Sequence, residues 1–131
     1  MFLNKNTASN NMSVPPKNIL LVEDDASMRR FIEVILKREG YQTISAKDGL
    51  EGLQLALEND FDAVVADAIM PNMSGYDLCR MLRQNPQYSE KPFILLSGLE
   101  NNDDNNLADA YLLKGNNLKT ELTEKISELI A

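Results

Sequence analysis

There is no histidine anywhere in the 131 residues. That absence excludes a histidine-based catalytic triad, a histidine-ligated zinc site and imidazole acid–base chemistry. A single cysteine, Cys79, excludes an internal disulfide framework. Set as Leu78-Cys79-Arg80 in a helical pattern, it reads as a packing residue rather than a nucleophile. Positive charge is scarce: 13 basic residues against 20 acidic ones leave a formal charge of -7. That balance disfavours direct binding to nucleic acid or to an anionic membrane. No uninterrupted apolar stretch approaches the ~18 residues of a membrane span. The first 17 residues also lack the apolar centre of a signal peptide. A cytoplasmic protein is the default expectation. The length suits one domain that buries a core without staples.

What is present is an alternation of short apolar runs and helical patterns. Residues 1–17 are rich in asparagine and end in Pro15-Pro16, which predicts a loose arm ahead of a domain over 18–131. Asn18 to Val22 reads as a strand and ends abruptly in Glu23-Asp24-Asp25. Asp25 caps a helix over Ala26 to Arg38, with Met28, Phe31, Ile32, Ile35 and Leu36 at inward spacing, and Gly40 stops it. Tyr41 to Ser45 predicts a second strand. A second helix carrying Leu50, Leu53, Ala56 and Leu57 follows the Asp48-Gly49 turn. The stretch FDAVVADAIMPNMSG, from Phe61 to Gly75, holds a third strand, Ala63 to Ala66, that ends on Asp67. A third helix runs from Tyr76 to Arg83 with Leu78, Met81 and Leu82 inward. Strand four is Pro92 to Leu96, ending in Ser97-Gly98. Strand five, Tyr111 to Leu113, ends on Lys114, and a last helix spans Lys119 to Ile130. Between strands four and five the run LENNDDNN, Leu99 to Asn106, is poor helix material, so the helix expected there is shortened, displaced or disordered. Five strands alternating with helices imply a parallel α/β sheet covered on both faces.

If the strands are parallel, their carboxyl ends deliver Glu23, Asp24, Asp67, Ser97 and Lys114 to one rim, where open sheets bind ligands. Each of these residues alone is unremarkable: a strand-end acid often caps a turn, and a strand-end lysine is often just solvated. Three carboxylates together repel one another, an arrangement that suits a hard divalent cation such as Mg2+. Lys114 and Ser97 complete a cradle for an anion, with Lys114 pairing with Asp67 at rest and with a phosphoryl oxygen after transfer. Asp67 is then a candidate nucleophile able to carry a phosphoryl group.

These residues resemble the receiver domain of bacterial two-component response regulators, and most of all its single-domain, chemotaxis-regulator-like type. ILLVEDD, from Ile19 to Asp25, looks like the acidic-pair strand, and ADAIMPNMSG looks like the phosphoacceptor strand and its loop. The resemblance covers nearly everything but the arm. It implies a flavodoxin-like sheet in the order 2-1-3-4-5. It implies Asp67 as the phosphorylated residue, with Glu23, Asp24, Asp67 and the backbone carbonyl of Ile69 holding Mg2+. Ser97 falls at the family's Ser/Thr position, Lys114 at its lysine, and Tyr111 resembles the switch aromatic. Phosphoryl groups are expected from the phosphohistidine of a sensor kinase or histidine phosphotransfer protein, which fits a chain without histidine of its own. A downstream protein partner and a monomeric state are expected, with no enzymatic activity beyond self-phosphorylation and slow dephosphorylation. The slow loss is expected because Ile69 and Leu99, which flank the site, are apolar. Three features depart from the family: Gly115 stands where proline usually follows the lysine, Gly98 where a residue such as alanine is usual, and the interval from Ser97 to Lys114 is short.

Two other readings compete. The same scaffold can serve as a phosphate-independent protein-binding module, a reading that the short interval keeps open. A metal-dependent phosphatase with an aspartate nucleophile would carry a second acid two residues on, where this chain has Ile69.

Overall fold

A computed structural model describes residues 14–99 and 107–130. Five strands, β1 (Asn18–Val22), β2 (Gln42–Ala46), β3 (Ala63–Asp67), β4 (Phe93–Ser97) and β5 (Ala110–Leu113), form one sheet in the order β2-β1-β3-β4-β5. Every neighbouring pair is parallel. The described helices are α1 (Ala26–Arg38), α2 (Gly49–Glu58), α3 (Gly75–Arg83) and α4 (Leu118–Ile130). The expected five-stranded, doubly wound order is the observed one. The arm over 1–17 and the altered helix between strands four and five fall largely outside the described residues. The residues flanking that interval, Gly98, Leu99 and 107–109, form no helix.

The central strands are apolar along their whole length because both faces are covered. Alternate side chains point to opposite sides. Leu20, Val22, Val64, Ala66 and Leu95 meet α2 and α3 through Ala56, Leu78 and Leu82. Ile19, Leu21, Val65, Ile94 and Leu96 meet α1 and α4 through Ile32, Leu36, Leu122 and Ile126. Each of the fully buried Leu, Ile and Val side chains contributes roughly 1.5–3 kcal/mol.

Helix α1 begins where Asp25 accepts from the Met28 N–H at 2.7 Å and ends at Gly40, whose φ of +91° a residue with a side chain rarely adopts. Two expected inward residues, Phe31 and Met81, are exposed, and so are Leu50 and Leu57 of α2. In α2 the reason is proximity. The fully buried residues of the helix are Gly49, Gly52 and Ala56; at Gly52 it lies so close to the sheet that a Cβ would stand 2.7 Å from Val22 Cγ2. The leucines are therefore rotated to the flank and the outside. In α3 the buried line is Gly75, Leu78, Cys79 and Leu82, which turns Met81 outward. In α1, Phe31 sits beside Ile32 on the rim of a cleft of about 200 Å³ shared with Lys119 and Thr123 of α4. Strand boundaries shift by a residue or two, with β2 reaching Ala46 and β4 reaching Ser97.

Candidate functional site

The topology puts the ends of β1 and β3 side by side, with Val22 opposite Ala66, so Glu23 and Asp67 emerge next to each other. Beyond them, β4 and β5 bring Ser97 and Lys114 to the same rim, with Ser97 opposite Leu113. Glu23, Asp67 and Ser97 are the buried polar residues among those described, and Asp24 is exposed at the mouth.

Lys114 stands between two acids. Its Nζ lies 2.7 Å from Glu23 Oε1 and 3.0 Å from Asp67 Oδ2. The pairing with Asp67 is the one expected from the sequence; the shorter one, with Glu23, is not. Burial works against the lysine's charge, but the two carboxylates outweigh it and raise the Lys114 pKa. Burial pushes the Glu23 carboxyl above its ordinary value, opposed by the ammonium of Lys114 and the Asp25 N–H and reinforced by the Asp67 charge. Glu23 Oε2 accepts from the Asp25 N–H at 3.0 Å. Oε1 faces the ammonium as an ion pair, yet it is a buried oxygen without an aligned hydrogen bond.

Backbone contacts hold the strand ends in place. Arg29 on α1 donates to the Glu23 carbonyl at 2.9 Å. Asp67 Oδ1 accepts from the Ile69 N–H at 3.3 Å, and the Ile69 side chain is exposed. Ser97 Oγ accepts from the Leu99 N–H at 3.1 Å, and the Ser97 carbonyl accepts from the Lys114 N–H at 2.7 Å. The Tyr111 hydroxyl donates to the Leu99 carbonyl at 2.7 Å. Arg29 escaped the sequence reading because a solvent-facing helical arginine carries no signal of a carbonyl partner. Gly75 did too: a Cβ there would fall 2.2 Å from the Asp67 carbonyl oxygen.

Glu23, Asp24 and Asp67 each offer a carboxylate oxygen, all within 4.8 Å of one another. An all-oxygen, anionic donor set suits a hard divalent cation such as Mg2+.

Residues 19–126 match the family model described as the response regulator receiver domain. Among curated proteins, the chain is similar to the response regulator ArlR of Staphylococcus saprophyticus. The two are 36% identical over 101 residues, which is 73% of this chain and 44% of that protein. The chain thus spans less than half the length of the curated relative it matches. Among solved structures, the response regulator TrrA of Thermotoga maritima, in complex with Mg(2+)-BeF, superposes with a TM-score of 0.80 and 31% identity, over 86% of this chain and 98% of that one. The chemotaxis protein CheY4 of Vibrio cholerae gives a TM-score of 0.80 and 26% identity, over 87% and 98%.

Proposed function

The chain belongs to the response regulator receiver domain family, and from that membership we propose that it is the phosphoacceptor of a two-component phosphorelay, carrying the phosphoryl group on Asp67. The observation that carries this reading is the convergence of Glu23, Asp24 and Asp67 with Lys114 set between two of them. The receiver unit is taken as residues 18–131, with 1–17 outside it.

Glu23, Asp24, Asp67 and the Ile69 backbone carbonyl would hold Mg2+. When bound, the cation offsets negative charge on the oxygens of the transferring phosphoryl group. An Asp67 carboxylate oxygen attacks phosphorus, the P–N bond of a partner's phosphohistidine breaks, and the imidazole leaves with the electron pair and takes up a proton. Lys114 already holds its ammonium beside Asp67 and stays paired with the added phosphoryl oxygens. The Ser97 hydroxyl gives up the Leu99 N–H and donates to another of those oxygens. Tyr111, hooked to Leu99, senses that movement and acts as the switch aromatic.

The donor class is a sensor histidine kinase or a histidine phosphotransfer protein, and the output is a protein partner on the switched face, with no direct nucleic-acid contact. We take the module to be cytoplasmic and monomeric; no described helix is long and apolar enough to cross a membrane. Its chemistry is confined to its own phosphorylation and slow dephosphorylation.

Intact mass after incubation with acetyl phosphate and Mg2+ tests the reading. A single phosphoryl adduct is expected that requires Mg2+ and disappears in Asp67→Ala. A folded protein that binds Mg2+ yet forms no adduct would overturn it in favour of the phosphate-independent binding module.

A further inference from the structure

Tyr76 lies in the first turn of α3, directly after the glycine packed against the Asp67 carbonyl. Its ring stacks on that of Tyr111, with centroids 6.4 Å apart and planes inclined by 22°. That geometry lies within the range of favourable offset aromatic pairs. Tyr111 is hooked by its hydroxyl to the Leu99 carbonyl, and the Leu99 N–H is held by Ser97 Oγ. A continuous line therefore runs from the Ser97 hydroxyl through the Leu99 peptide and the Tyr111 phenol to the Tyr76 ring.

The far end of this line is anchored to Asp67 as well. The Gly75 N–H donates to the Ala68 carbonyl at 2.9 Å, and the Ala68 N–H donates to the Leu96 carbonyl at 2.7 Å. A Ser74–Asp77 capping box fixes the first turn of α3, on which Tyr76 sits. Tyr111 is thus reached from Asp67 by two routes, one through Lys114, Ser97 and Leu99, the other through Ala68, Gly75 and Tyr76.

We propose that Tyr76 is a positioning residue for the switch: its ring holds Tyr111 in the orientation bonded to Leu99, so Tyr111 leaves that orientation only by giving up the stack together with the hydrogen bond. This rests on the receiver reading of Asp67 and goes beyond it by assigning the switch a second aromatic. The stack biases the two orientations of Tyr111 by roughly two- to tenfold, the population equivalent of one aromatic pair.

Fluorotyrosine labelling of the full chain tests this by ¹⁹F NMR. The four tyrosines, Tyr41, Tyr76, Tyr88 and Tyr111, give separate reporters, assigned by single Tyr→Phe variants. Tyr88 is fully buried and serves as the fold control. Tyr76→Leu is expected to move the Tyr111 signal before any phosphodonor is added while the Tyr88 signal stays in place, and Tyr76→Phe is expected to restore it. In unlabelled wild-type protein, a ring-to-ring NOE between Tyr76 and Tyr111 is expected, a measurement that needs no variant. A missing NOE, or a Tyr111 signal in Tyr76→Leu identical to wild type, would overturn the role of Tyr76. Intact mass on the same samples separates the two readings. No phosphoryl adduct on the wild type defeats the receiver reading itself, whereas an adduct with an unmoved Tyr111 signal defeats only the assignment of Tyr76.

Discussion

Asp67 is buried at the rim where the strand ends meet. Ile69 and Leu99, which the family resemblance places beside the site, are both exposed and both apolar, so neither can orient an attacking water by a hydrogen bond. The aspartyl phosphate is therefore expected to be long-lived. After removal of acetyl phosphate, the adduct mass should decay over minutes or longer in Mg2+; decay within seconds would show that another group activates water. Cys79 illustrates the opposite use of burial. It is packed under α3, and burial pushes its thiol up to about 11, from an ordinary 9.0. At pH 8 the native protein should resist iodoacetamide and become reactive only on unfolding in urea. The sign of the pH dependence follows. The folded state holds the proton more tightly, so this contribution is intact below pH 9.0 and is lost as pH rises towards 11. Urea midpoints measured across that alkaline window should fall, and Cys79→Ala should reduce the slope. That Cys79 packs rather than reacts was legible from its place in a helical run. The Lys114 pairing with Glu23 was not, because two acids stood within reach and only the folded distances choose between them.

Elements show where a periodic reading succeeds and where it fails. The buried strands were legible because a strand covered on both faces must be apolar throughout. Helix α2 misled because its inward stripe is glycine and alanine, chosen for closeness to Val22 rather than for hydrophobic bulk. Helix α3 carries the sharper lesson, since its first turn is built against the site. Ser74 accepts from the Asp77 N–H at 3.0 Å, and the Asp77 carboxylate accepts from the Ser74 N–H at 3.2 Å. Those bonds hold the Asp77 carboxyl below its ordinary value, an effect present at neutral pH and lost as pH falls through the acid range. Ser74→Ala should cost ~1 kcal/mol of stability, read as a lower urea midpoint, with phosphorylation largely retained. Gly75→Ala should behave differently. Its Cβ would sit 2.2 Å from the Asp67 carbonyl oxygen, so the strand end or the helix has to move. A displacement of the nucleophile should slow phosphorylation by acetyl phosphate on the order of tenfold or more. Equal effects of the two substitutions on stability and rate would mean that the close approach at Gly75 does not position Asp67.

At the scale of the whole molecule, the site is a product of topology. The order β2-β1-β3-β4-β5 sets the two acid-bearing strands side by side and brings the serine and lysine in from the next two. Hydrophobic periodicity could announce five strand ends but could not order them; the order was legible only through the resemblance to a known family. The same convergence gathers three carboxylates in one mouth of a chain with a net charge of -7, with one lysine to offset them. Lys114 offsets only part of that charge, which leaves a net negative mouth that a bound cation would offset further. A cation that binds the folded chain and not the unfolded one stabilises by linkage, ~2.7 kcal/mol at a concentration 100 times its dissociation constant. Mg2+ should therefore raise the melting temperature by several degrees in a saturable manner, and EDTA should reverse the gain. General screening of an acidic surface would produce a rise too, so NaCl at matched ionic strength is the control. Site binding requires that the Mg2+ effect exceed that of NaCl and shrink in Asp24→Ala, whose carboxylate is exposed at the mouth and holds up no part of the core. An equal rise with either salt, or an undiminished Mg2+ effect in Asp24→Ala, would mean that the three acids do not act together as a metal centre.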